Sequence, residues 1–113
     1  MAFSVKVIGY SHAGSQLFDI EPPWWNAREL RQDARMQVSS SDGYLDYDMH
    51  LSAQEARDLH RHFRPTAVLG VFADADWQAI IEPLLRELDT CFAPESDRLS
   101  YCRIYVYEWE SGY

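Results

Sequence analysis

The stretch from Tyr44 to Phe63 changes its apolar period midway, and that change sets the class of fold. In "YLDYDMHL" (44–51) every second residue, Leu45, Tyr47, Met49 and Leu51, falls on one face, as on a strand that meets a core. Tyr44, Asp46, Asp48 and His50 take the opposite face. In "SAQEARDLHRHF" (52–63) the period becomes helical, with Ala56, Leu59 and Phe63 as the buried stripe. Ser52 and Glu55 form a capping box in which each side chain accepts from an otherwise unpaired backbone N–H, and Pro65 ends the helix. A strand running directly into an amphipathic helix predicts an α+β fold.

The closing run "SYCRIYVYEWESGY" alternates in the same way. Cys102, Ile104 and Val106 share the face that suits a core. Tyr101, Arg103, Tyr105, Tyr107 and Trp109 share the other. A face meant only for water would carry Lys, Glu, Thr and Ser, so this one asks for a partner or a cover. Tyr, Trp and Arg are the residue types enriched at binding hot spots. The competing reading is packing beneath the Trp24-Trp25 segment.

Elsewhere "FSVKVIGY" (3–10) reads as a strand and "RMQVSS" (35–40) as another, with Met36 and Val38 inward. "SDG" (41–43) is a hairpin turn signal. "NARELRQDA" (26–34) suits a short helix capped by Asn26. "LFDIEPPWWN" gives no regular element, because Pro22-Pro23 interrupts it. "DADWQAIIEPLLRELDTCF" (74–92) is the longest helix, capped by Asp74 or Asp76. Its stripe is Trp77, Ile80, Ile81, Leu84, Leu85, Leu88 and Phe92; Pro83 should kink or split it, and the stripe, in phase on both sides, favours a kink. "TAVLGVF" (66–72) suits a buried connector or a short strand. The expected architecture is one domain over residues 1–113. A single antiparallel sheet of about four strands carries two main helices packed on one face.

Charge narrows the function. Eighteen acids face ten bases, and Lys6 is the only lysine. Nucleic acid and anionic membranes both require a basic footprint, so neither is expected as a partner. A basic protein is the partner that this charge would steer. No apolar run approaches a membrane span, and "MAFSVKVIGYSHAGS" lacks the pattern of a secretory signal. Cys91 and Cys102 show neither a disulfide framework nor metal-ligand spacing. A cytoplasmic location follows as an expectation.

Catalytic motifs do not hold up. "GYSHAG" (9–14) approaches a nucleophile elbow, but Ala13 breaks the spacing and no helix follows. Glu108 and Glu110 pair on the Cys102 face without any sign of a sugar cleft. Asp46, Asp48 and His50, at alternate positions of one strand face, could hold a divalent cation, but no second motif completes the ligand set. No enzyme, cofactor or metal is therefore expected. The candidate partner-binding set is Tyr44, Asp46, Asp48, His50, Arg103, Tyr105, Tyr107 and Trp109. The alternatives are a small-ligand or metal-binding domain using the acidic/His face, or a self-associating protein; a homodimer fits the same face.

The run "YLDYDMHLSAQEARDLHRHF", a strand leading into an L-S-x-x-E-A helix, and the tail "VYEWESGY" resemble the immunity proteins of bacterial polymorphic toxin systems. The resemblance covers about half of the chain and carries over no functional residues. It implies a small, acidic, cytosolic α+β protein without enzymatic activity. Such a protein binds a cognate toxin and blocks its active site or substrate path. It further implies a basic, nucleic-acid-targeting toxin as the partner.

Overall fold

The computed structural model describes residues 2–41, 44–65, 75, 77–94 and 97–109, and all of their side chains except those at 2, 41, 44, 108 and 109. It is α+β, and the strands among the described residues form one antiparallel sheet of five. The strands are β1 (Ala2–Ser11), β2 (Gln16–Ile20), β3 (Gln37–Ser41), β4 (Tyr44–Ser52) and β5 (Leu99–Trp109). Their order across the sheet is β2-β1-β5-β4-β3, so β5 lies at the centre, between β1 and β4.

The fifth strand is β2, which the sequence does not announce. It has only five residues and ends just before the Pro22-Pro23 pair. It alternates nonetheless: Phe18 and Ile20 are buried and Asp19 is exposed. Its partner strand has a glycine for a steric reason. A Cβ at Gly9 would lie 2.2 Å from the Phe18 ring, so that ring occupies the space a side chain would need. Gly9 and Phe18 are also paired in register, and the β1–β2 ladder shifts by a bulge immediately after them.

Helix α1 (Ala27–Arg31) is shorter than the expected 26–34 but is capped as expected, with Asn26 Oδ1 accepting from the Glu29 N–H at 3.0 Å. In α2 (Ala53–Phe63) the capping box is complete. Ser52 Oγ accepts from the Glu55 N–H at 3.1 Å, and Glu55 Oε1 accepts from the Ser52 N–H at 3.0 Å. Ala56 is fully buried, and Leu59 and Phe63 are half-buried against the core.

A π-helical turn, Trp77–Ile81, leads directly into the third described α-helix, α3 (Glu82–Cys91). Pro83 sits in the first turn of α3, where its missing N–H costs least. The wider π turn changes the helical phase ahead of the proline. Ile81, Leu85, Leu88 and Phe92 are buried, but Ile80, expected in the stripe, is 52% exposed. The candidate caps Asp74 and Asp76, the "TAVLGVF" segment, and Asp42 and Gly43 of the turn signal lie outside the described residues.

One cluster unites Val5, Val7, Phe18, Ile20, Met49, Leu51, Cys102, Ile104 and Val106 of the sheet with Leu30, Ala56 and Leu88 of the helices. Phe92 meets Phe18 edge-on, with ring centroids 5.5 Å apart. Val38 departs from expectation: it points to the same side of the sheet as Tyr47 and Val106 but is 57% exposed, because β3 lies at the edge beyond the helices.

Candidate functional site

The β1, β5, β4 and β3 ladders carry two rows of side chains across the sheet face opposite the core. Residues directly opposite each other in a ladder share a face. One row runs Lys6, Tyr105, Asp48, Gln37; the next runs Ser4, Tyr107, Asp46, Ser39. A third brings together Asp19, Ile8, Arg103 and His50. Six of the eight predicted site residues, Asp46, Asp48, His50, Arg103, Tyr105 and Tyr107, therefore form one surface. The backbones of Tyr44 and Trp109 lie at the ends of β4 and β5; their side chains fall outside the described set.

This surface holds an open concavity of about 570 Å³, lined by Lys6, Ile8, Ser39, Asp46, Asp48, Tyr105 and Tyr107 among others. The two tyrosines are half-buried, and Asp46 and Ser39 are exposed. The tryptophan pair does not cover them. Trp25 is buried in the core against Phe63 at 5.4 Å, and Trp24 packs on the same cluster. Tyr105 and Tyr107 thus do not pack beneath Trp24-Trp25.

The cations of the face are already held by acids. Arg103 Nη2 donates to Asp48 Oδ2 at 2.9 Å, and its guanidinium lies 4.9 Å from the centre of the Tyr105 ring. Lys6 Nζ lies 3.2 Å from Asp19 Oδ2. The hydrogen bond and charge of Asp19 raise the Lys6 pKa, and those of Asp48 raise that of Arg103. Asp46 has no ion-pair partner among the described residues, so the face keeps an unmatched carboxylate. Asp48 Oδ1 and Arg103 Nε are buried atoms without a hydrogen-bond partner there.

The phenols are also tuned. Tyr107 donates from its hydroxyl to Glu21 Oε1, and this bond holds its pKa above the usual tyrosine value. Burial does the same for Tyr105. At the far end of the face Tyr10 and Tyr101 stack, with centroids 4.9 Å apart and planes 13° from parallel.

Other candidate chemistry is arranged differently. No group of three or more His, Cys, Asp or Glu side chains converges as for a metal among the described residues, and Asp48 is engaged by Arg103. Ser11 Oγ accepts from the Ser15 N–H at 3.1 Å, inside a turn that leads to β2 rather than to a helix. Two residues matter that the helical stripe did not reveal. His60 is buried, with its Nε2 2.7 Å from Asp89 Oδ1, and Asp89 also accepts from Arg64 at 3.0 Å. This trio ties α2 to α3. The signal in the sequence is spacing, since His60 falls one turn after the buried Ala56. His62, two residues on, points instead to Glu29 of α1 at 2.6 Å.

Comparison with known proteins returns no match: no family model, no curated protein and no solved structure is similar to this chain. Among the described residues no helix is long and apolar enough to cross a membrane.

Proposed function

We propose that this chain is a non-enzymatic inhibitor, an immunity protein that binds a cognate bacterial toxin domain in the cytoplasm and occludes its active site. One observation carries the reading. The β4–β5 register sets Asp46 and Asp48 beside Tyr107 and Tyr105 on a sheet face that the described helices leave open. Half-buried tyrosines beside carboxylates provide both parts of a binding surface for a basic protein. The aromatics fill pockets, and the unmatched charge steers the approach. Asp46 is the group available to a partner Arg or Lys, since Asp48 Oδ2 is occupied by Arg103. The acidic balance of the whole chain suits a toxin that acts on nucleic acid and is itself basic.

The test has two stages. The tagged protein is captured from its native cells at low and at high salt. A basic protein that co-purifies in equal amount, and less so at high salt, is the expected result. That protein is then expressed in a naive host with and without this chain. Arrested growth that is restored by co-expression supports inhibition. Arrested growth that is not restored, or no stoichiometric partner from cells shown to make both proteins, contradicts it.

A further inference from the structure

The two edges of the sheet are treated differently. An edge strand exposes a row of unpaired backbone N–H and C=O groups, and proteins blunt such edges with charges, prolines, bulges or covering elements. The β2 edge has these devices: Asp19 within the strand, Glu21-Pro22-Pro23 after it, and a bulge in its ladder. Within β3 itself none of them occurs, and its charged neighbours in sequence, Arg35 and Asp42, lie outside the strand. Its sequence, "QVSSS", carries no charge, proline or glycine, and its ladder with β4 runs without a register shift. Gln37, Val38, Ser39 and Ser40 are all exposed. Beside it on the helix side of the sheet lie Val38, 57% exposed, and Leu45, 42% exposed.

From this asymmetry we infer that β3 is a self-association edge, which pairs antiparallel with β3 of a second copy about a twofold axis at Val38. The strand's own composition selects this occupant. A chain of formal charge -8 repels its copies almost everywhere, but an uncharged strand brings no like charges into opposition. With Val38 on the axis, the exposed valine meets its own copy, and Gln37 meets Ser39 of the other chain. On the helix side of the joined sheet the two exposed Val38 side chains then shield each other. A basic partner has no reason to choose this neutral edge over the acidic face.

The geometry has a consequence. A twofold axis normal to the sheet joins two five-stranded sheets into one of ten strands. Both helix layers then lie on one side, and the two Asp46/Tyr105 faces become continuous on the other. This arrangement is independent of what that face binds.

Sedimentation velocity of the purified full chain, from low micromolar to submillimolar concentration, tests the inference. A monomer–dimer equilibrium is expected, weakened by at least about tenfold in Val38→Lys, where two lysines would meet on the axis. Val38 is exposed, so the variant should melt like wild type when dilute. Val38→Cys supplies a second readout: mild oxidation should give a covalent dimer that wild type does not form. A monomer at every concentration overturns the inference. So does a dimer that Val38→Lys leaves unchanged and Val38→Cys does not cross-link.

Discussion

Asp48 of β4 lies directly opposite Tyr105 of β5, and Arg103, two residues before Tyr105, reaches across to the same carboxylate at 2.9 Å. One acid thus fixes a guanidinium against an aromatic ring in the middle of an open sheet face. Arg103 and Tyr105 are thereby pre-ordered, which reduces the side-chain entropy lost when a partner binds. Truncating Tyr105 or Tyr107 to Ala should therefore raise the dissociation rate of a bound partner, by about 2 kcal/mol in affinity if either is a hot spot. Surface plasmon resonance against the captured partner reads this. Unchanged dissociation in both variants would place the contact elsewhere.

Gly9→Ala should destabilise the fold by about 1–3 kcal/mol, because the added methyl group meets the Phe18 ring. Urea unfolding of the two proteins checks it. The pair Gly9→Ala/Phe18→Leu should recover part of the loss, since the smaller side chain frees the space.

Acid should weaken the protein through three carboxylates. The hydrogen bond from Arg35 lowers the Asp33 pKa, and the Ser52 N–H with Arg35 lowers that of Glu55. Burial alone would raise the Asp89 pKa, but Arg64 and His60 outweigh it and hold it low. A depressed native pKa means that the unfolded chain takes up protons first. Stability is then complete above the ordinary carboxylate range and is lost as pH falls through that range toward the native values. Thermal melting should fall from about pH 6 to about pH 3, and Glu55→Gln should reduce the drop. A flat profile would mean that these ion pairs do not persist in solution.

Burial pushes the Cys102 thiol up to about 12, and it raises that of the half-buried Cys91 as well. In the native protein a thiol reagent at mildly alkaline pH should modify Cys91 slowly and leave Cys102 intact. Both should react in denaturant. Rapid native reaction of Cys102 would show that the strand layer opens.

Much of the surface could be read from local pattern, since alternation placed Asp46, Asp48 and His50 on one face of β4 and Arg103, Tyr105 and Tyr107 on one face of β5. Their meeting could not be read, because the Asp48–Tyr105 pairing joins segments on either side of two helices. Only the strand order supplies it. Strand β2 escaped notice because five residues beside a proline pair carry too few repeats to define a period. Val38 followed the period correctly and still failed as a core residue. Alternation gives the face of a sheet but not how far the helices extend over it. Ile80 failed because the π turn breaks the 3.6-residue period on which the stripe depends.

The central claim is that the Asp46/Tyr105 face receives a basic partner. Its most direct measurement is the association rate of the captured partner with Asp46→Lys and with Glu87→Lys, across a range of salt. Glu87 is exposed on α3, so both variants change the net charge equally at different places. The account predicts that Asp46→Lys slows association by about tenfold at low salt and flattens its salt dependence, whereas Glu87→Lys has a much smaller effect. Equal slowing by the two variants, or none by Asp46→Lys, would contradict it.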